Sequence, residues 1–180
     1  MKKEWLKTVL YLAGLFVVLW LLRQFVFTPV IVKGDSMDPT LADGERVIAL
    51  LNRDIKRFDI VTFPAPDETD KNYIKRVIGL PGEEVEYREG ALYIDGKLTA
   101  EPYLEDFEQQ ISDGLPLTLG PNQETSFSFG KIPDGEVLVL GDNRRISKDS
   151  RSIGFIKEAD IVGDVKFIFW PLQEFGLIKE

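Results

Sequence analysis

Ser36 and Lys75 are the residues of this chain whose types and settings invite covalent chemistry. Ser36 lies in Gly34-Asp-Ser-Met-Asp-Pro-Thr-Leu41. Gly34 permits dihedrals closed to other residues, and Pro39 fixes its own φ while pushing Asp38 out of the helical region. A serine held in that way is either an ordinary turn residue or a nucleophile. The sequence has no histidine and no cysteine. That excludes a Ser-His-Asp triad, a cysteine nucleophile, a thiolate zinc site and a disulfide framework. If Ser36 attacks a substrate, its base must be a lysine, a carboxylate or the chain's own N-terminus, and a Ser–Lys pair is a known alternative to histidine.

Lys75 stands in Tyr73-Ile-Lys-Arg-Val-Ile-Gly-Leu-Pro-Gly82, whose β-branched and apolar residues predict a strand. Alternation puts Tyr73, Lys75 and Val77 on one face, with Ile74, Arg76 and Ile78 on the other. A lysine on an apolar face either snorkels its charge into water or is desolvated, and desolvation lowers its pKa. The shift needed is large, because at a pKa of about 10.4 only about one lysine in a thousand is neutral near pH 7.4. A third polar segment, Gly141-Asp-Asn-Arg-Arg-Ile-Ser-Lys-Asp-Ser-Arg-Ser-Ile-Gly154, follows the apolar run Val137–Leu140. It reads either as a solvated surface loop or as a functional loop delivered by a rigid strand. In the second case Asp142, Asp149, Arg144 and Arg151 form ion pairs that fix the loop, and Ser147 hydrogen-bonds and orients an amine.

These segments need a scaffold, and the chain predicts a mainly β one behind a single N-terminal helix. Thr8–Leu22 carries no charge, and Leu6–Phe27 is long enough to cross about 30 Å of hydrocarbon. Arg23 snorkels to the interface, where Trp5, Tyr11, Trp20 and Phe25 are also at home. No small-x-small site follows the apolar run, so the segment is expected to be an anchor and not a cleaved leader. Lys2, Lys3 and Lys7 predict a short cytoplasmic tail over residues 1–5, an anchor over 6–27 and an extracytoplasmic domain over 28–180. In that domain Val30–Val32, Arg46–Leu51, Ile60–Phe63, Tyr73–Ile78, Val85–Tyr87, Ala91–Ile94, Glu136–Leu140 and Ile161–Trp170 read as strands. Gly, Pro, Asn and Asp separate them, which predicts antiparallel sheets joined by hairpins at Arg88–Leu92 and at Asp95-Gly96. Glu101–Lys131 shows weak periodicity and is expected to be an irregular excursion or small cap.

The ordered set of segments resembles the boxes of bacterial type I signal peptidases, in particular the small Gram-positive type. The resemblance is carried by Ser36-Met-Asp-Pro-Thr-Leu41, Lys75-Arg-Val-Ile-Gly-Leu-Pro-Gly-Glu83 and Gly141-Asp-Asn-Arg…Ser147-Lys-Asp-Ser-Arg151, with Asp43-Gly44 and Arg57-Phe-Asp-Ile-Val61 between them. It runs from the anchor to about Gly154 and is weakest over Glu101–Lys131. It implies an antiparallel β-sheet catalytic domain in which Ser36 is the nucleophile and Lys75 the general base. It further implies that Ser147 orients the lysine and that Asp142, Arg144, Asp149 and Arg151 hold the site together. Met37 and the neighbouring Tyr73 resemble walls of shallow pockets for small substrate side chains. Where some relatives carry a hydroxyl residue two positions before the nucleophile, this chain has Gly34, so the Ser36 backbone amide is expected to carry more of the oxyanion role.

The implied partners are the signal peptides of exported precursors, together with membrane lipid. Ser36 lies nine residues beyond Phe27, so an extended connection keeps it within about 30 Å of the membrane. A net charge of −8 argues against nucleic acid. No metal or other cofactor is expected, because the carboxylates form no ligand pattern. Three other readings stay open: a self-cleaving Ser–Lys repressor type, which the anchor disfavours; a non-catalytic anchored β domain that binds exported peptides; and a structural membrane protein with no ligand, which gives no reason for three polar boxes.

Overall fold

The computed structural model describes residues 2–51 and 54–178. The chain opens with a 24-residue helix, α1 (Lys2–Phe25). Its segment Glu4–Phe25 has a mean hydropathy of 2.0, is long and apolar enough to cross a membrane, and buries nothing against the rest of the chain. The helix ends two residues short of the expected Phe27. Thr28 precedes Pro29, and a residue before proline is driven to extended backbone, so Phe27 already opens the first strand.

The strands that follow are β1 (Phe27–Ile31), β2 (Arg46–Leu50), β3 (Ile60–Pro64), β4 (Asn72–Gly79), β5 (Glu84–Arg88), β6 (Ala91–Ile94) and β7 (Lys97–Leu98). After a short helix α2 (Glu105–Glu108) come β8 (Phe127–Lys131) and β9 (Glu136–Leu140). A one-turn helix α3 (Ser150–Ile153) leads to β10 (Ile156–Lys157), β11 (Gly163–Trp170) and β12 (Gly176–Leu177). One sheet runs β1-β2-β11-β3-β4-β9-β10 with β12 beside β11, and a second runs β7-β6-β5-β8. Their pairings are antiparallel, as the alternating, turn-punctuated sequence predicts. Both expected hairpin turns form, with Glu89-Gly90 and Asp95-Gly96 at positive φ.

The strand β8 falls inside the stretch expected to be irregular. Phe127-Ser-Phe alternates ring and hydroxyl, and Phe127 stacks on Tyr87 of β5 with ring centres 5.2 Å apart, so cross-strand aromatic pairing orders it. The excursion proper is therefore shorter, and Leu117, Thr118 and Leu119 within it are buried.

Two features of the core fix the positions of Ser36 and Lys75. Strand β4 is interior to the first sheet and buried from Ile74 to Gly79. Ile74 packs with Val32, Met37 and Leu41 in one cluster, whereas Val77 and Tyr73 join Val61, Phe63 and Val139 in another. The expected alternation thus holds for Tyr73, Ile74 and Val77, whereas Ile78 joins a third cluster with Leu138 and Leu140, beside the register shift between Val77 and Gly79. The turn that bears Ser36 is tied down by its own neighbours, since Met37 and Leu41 are 1% and 0% exposed. Each such burial contributes about 1.5–3 kcal/mol, so the serine rides on a rigid part of the core.

Candidate active site

Lys75 comes from the middle of β4, where cross-strand pairing to Val61 leaves its backbone no freedom. Its side chain is 3% exposed. The Nζ atom reaches across to Ser36 and lies 2.6 Å from Oγ. A protonated lysine donates in this contact, and a neutral one accepts the hydroxyl proton. Burial pushes the lysine down from 10.5 to about 8, while Asp149 and Asp142 pull it partly back up and Arg151 reinforces the drop. At pH 7 about one Lys75 in ten is then neutral, against fewer than one in a thousand for an ordinary lysine.

The turn around Ser36 is held at both ends. The Ser36 carbonyl accepts from the Asn143 amide at 3.1 Å, and the Gly34 amide donates to Asp43 at 2.7 Å. Among the described residues the Ser36 N–H finds no acceptor, so it is available to a ligand. Gly34 sits at φ +78, where side chains are strained. A hydroxyl residue in its place would have to adopt that backbone, which gives a physical reason for glycine here.

The polar loop 141–151 packs against this turn at Gly141. A methyl group at that position would overlap both the Ser36 carbonyl oxygen and Ser147 Oγ, so only glycine allows the approach. Its amide donates to Asp149 at 3.0 Å and its carbonyl accepts from Arg144 Nε at 3.0 Å. Asp149 in turn takes two bonds from the Arg151 guanidinium, at 2.9 and 2.8 Å, and one from its backbone amide at 3.3 Å. Burial raises the Asp149 carboxyl, but Arg151 and the Gly141 amide outweigh it and hold the group below its usual value.

The ion pairing differs from the expectation that the loop's four charges pair among themselves. Only Asp149–Arg151 does so. Asp142 instead receives Arg76 of β4 through Nε at 2.9 Å and a terminal nitrogen at 2.6 Å, and it also accepts from Thr40 at 2.5 Å. Arg144 turns the other way and meets Glu101 at 2.6 Å. The same guanidinium donates to Thr118 at 2.8 Å, Tyr87 at 2.9 Å and Tyr103 at 3.0 Å. Tyr103 also lies under Arg76, whose guanidinium carbon is 3.9 Å from the ring centre. Sequence reasoning misses Arg76, Glu101 and Tyr103 as site residues. A fully buried arginine in a strand demands a counter-ion, and that was the signal available.

Ser147 is brought to the site, but not in the expected contact. Its hydroxyl is buried beside Gly141 and turned toward Asp149, whose carboxyl it helps to lower, while the Lys75 amine is turned to Ser36. Met37 and Tyr73 both line a cleft of about 280 Å³ over the pair, with Ile31, Val32 and Ile74. The Tyr73 hydroxyl donates to Glu68 at 3.0 Å, and Lys148 pairs with Asp67 on the same rim. A small cleft with an apolar floor beside a serine and a desolvated amine can seat a small side chain and present its carbonyl to the hydroxyl.

Residues 2–170 match the family model described as signal peptidase, peptidase S26. The chain is 44% identical over 184 residues to signal peptidase IB of Staphylococcus aureus, covering 97% of this chain and 94% of that protein. It is 39% identical over 200 residues to signal peptidase I of Streptococcus pneumoniae, covering 97% and 95%. Among solved structures, a signal peptidase I from Enterococcus faecalis V583 superposes with a TM-score of 0.55 at 39% identity, over 61% of this chain and 95% of that one.

Proposed function

We propose, for a chain that belongs to the peptidase S26 family of signal peptidases, that Ser36 and Lys75 are its catalytic pair. The protein is a serine endopeptidase of the signal peptidase I type, and signal peptides of exported precursors are its substrates. The observation that carries the assignment of the pair is the 2.6 Å contact between Ser36 Oγ and a buried Lys75 Nζ.

The neutral Lys75 amine takes the Ser36 proton as Oγ attacks the scissile carbonyl carbon. Negative charge then develops on the carbonyl oxygen, and the Ser36 N–H is the donor available to it. A donor at that position is worth about 3 kcal/mol of barrier. As the C–N bond breaks, Lys75 returns the proton to the leaving amine, and the signal peptide is left as an ester on Ser36. Lys75 next takes a proton from water, whose oxygen attacks the ester, and Ser36 regains its hydrogen. Asp142, Arg144, Asp149 and Arg151, with Arg76 and Glu101, fix the loop that braces the Ser36 turn. Ser147 acts by packing against that turn. Met37 and Tyr73 bound a cleft whose size favours small-x-small cleavage sites.

The apolar helix α1 anchors the protein as a single pass, with the N-terminus cytoplasmic and the catalytic domain outside. Lys7 and its two lysine neighbours at the start of the chain support that orientation. Labelling of single introduced cysteines with a membrane-impermeant reagent tests it, since the chain has none of its own. Trp170, Leu172, Phe175 and Leu177 form an exposed apolar edge around β12, which supports contact with lipid.

The central test is cleavage of a precursor bearing an Ala-x-Ala site in detergent or liposomes, with the intact protein, Ser36→Ala and Lys75→Ala. The expected result is a cut after the second alanine that is lost in both variants. Cleavage that survives Lys75→Ala would require another base and end this mechanism.

A further inference from the structure

A second cavity of about 500 Å³ lies between the polar loop and the excursion. Its walls come from Arg145, Ile146 and Ser147 on the loop and from Asp113, Leu119 and Pro121 on the excursion. Ile146, which is 63% exposed, lines both cavities, so they adjoin at that side chain. One buried side-chain atom on its wall, Arg145 Nε, lacks a hydrogen bond among the described residues. Such a group costs a folded protein about 1–3 kcal/mol.

The charge on that wall is unequally satisfied. Arg144 and Arg151 are held by Glu101 and Asp149 in short, buried pairs. Arg145 has only longer contacts, to the half-exposed Asp113 at 3.2 Å and to the Leu115 carbonyl at 3.3 Å. A guanidinium in that state can exchange a solvated partner for a carboxylate that docks in its plane.

Direction follows from topology. A signal peptide's apolar segment lies in the bilayer, as α1 does, so its cleavage site approaches along β1, the edge strand that continues from the helix. Ile31, Val32 and Lys33 line the catalytic cleft on that approach. The polar loop follows β9, at the opposite side of the same sheet. Ser147 packs beside the Ser36 carbonyl, so the cavity begins next to the nucleophile. An extended chain advances about 3.3–3.6 Å per residue, so a substrate running past Ser36 toward Ile146 would bring the residues just past the scissile bond to this cavity.

We infer that the cavity between the polar loop and the excursion binds the first residues of the mature chain, and that Arg145 selects an acidic side chain there. The inference rests on Ser36 and Lys75 being the catalytic pair. It assigns the excursion a second task beyond bracing Arg144, namely forming one wall of a substrate site.

The test uses full-length protein in detergent and three precursors with one Ala-x-Ala site, differing only in Asp, Gln or Lys at the second and third mature positions. For each enzyme the readout is the ratio of kcat/KM for the Asp precursor to that for the Lys precursor. A partly exposed ion pair predicts a ratio of about fivefold to tenfold for the wild-type protein. Arg145→Gln brings the ratio near one, and Arg145→Glu inverts it. A ratio that is the same in wild type and both variants overturns the inference. If wild type cleaves the Gln precursor but Ser36→Ala does so as well, the catalytic pair is wrong and the inference falls with it.

Discussion

Replacing Lys75 by methionine should abolish cleavage and make the protein more stable at neutral pH. Methionine has nearly the length of lysine and no charge. Burial lowers the folded-state pKa of Lys75 from 10.5 to about 8. The gap of about 2.5 units corresponds to about 3 kcal/mol by which the folded state disfavours the protonated amine. Below pH 8 the lysine is protonated in both folded and unfolded chains, so the whole penalty is present. Between pH 8 and 10.5 the unfolded chain holds a proton that the folded one has released, and stability rises with pH. Above 10.5 both are neutral and the penalty is gone. Methionine also forfeits the contact with Ser36, worth about 1 kcal/mol, which leaves a net gain of about 2 kcal/mol at pH 6–7. For a domain of this size that is a rise in Tm of about 4–8 °C. Thermal unfolding of both proteins in detergent, at pH 6.5 and pH 9.5, measures it. In the wild-type protein kcat/KM should climb through pH about 8 as Lys75 loses its proton. A Lys75→Met protein no more stable than wild type at pH 6.5, or a difference that does not shrink at pH 9.5, would refute the claim that desolvation tunes this amine.

Other substitutions separate bracing from chemistry. Glu101→Gln leaves the buried Arg144 guanidinium without its carboxylate and should cost about 3–5 kcal/mol by urea denaturation, with Ser36 still in place. Gly141→Ala forces a methyl group against the Ser36 carbonyl and Ser147, and should reduce kcat at least tenfold while thermal unfolding shows the domain still folded. Lipid-borne quenchers should quench Trp170 in a variant carrying Trp5→Phe and Trp20→Phe, and an unquenched signal would remove the lipid contact from the account. Cleavage should be unchanged by EDTA, because every proton in the proposed cycle is moved by Lys75; loss of activity would show a metal requirement.

Local chemistry was legible in the sequence, and long-range pairing was not. The Ser36 turn could be read because Gly34 and Pro39 restrict the backbone beside it, and β4 because its alternation is written in consecutive residues. Sequence proximity pairs Asp142 with the loop's own arginines, yet its partner is Arg76, 66 positions away. Once β4 and β9 are known to pair, with Arg76 opposite Leu140, Asp142 lies two residues beyond the strand end and within reach of Arg76. That pairing is a property of the sheet, which no local pattern states. Glu101 was hidden for a related reason. It lies in a stretch without periodicity, and its meaning comes from Arg144, 43 positions on. Sequence position said that the excursion was irregular; the burial of Thr118 and Leu119 against the loop's arginines says why it is there.

The pairing of charges also explains how a lysine becomes a base in this setting. Among the described residues each fully buried guanidinium, Arg76 and Arg144, has a carboxylate in hydrogen-bond contact. Lys75 is the buried amine, and among the described residues it has no salt bridge; its hydrogen-bond contact there is the Ser36 hydroxyl. Had Asp142 or Asp149 been left unpaired beside it, attraction would have raised its pKa and kept the proton on. Arg76 and Arg151 occupy those carboxylates instead, so Asp142 and Asp149 act on Lys75 only at a distance, and burial prevails. The loop's ion pairs thus serve catalysis by withholding counter-charge from Lys75 as well as by holding shape. This reasoning implies a direction for Arg151→Gln: it should free Asp149, raise the Lys75 pKa and move the acid limb of kcat/KM to higher pH. A limb that stays in place while kcat falls would mean that Arg151 contributes shape alone.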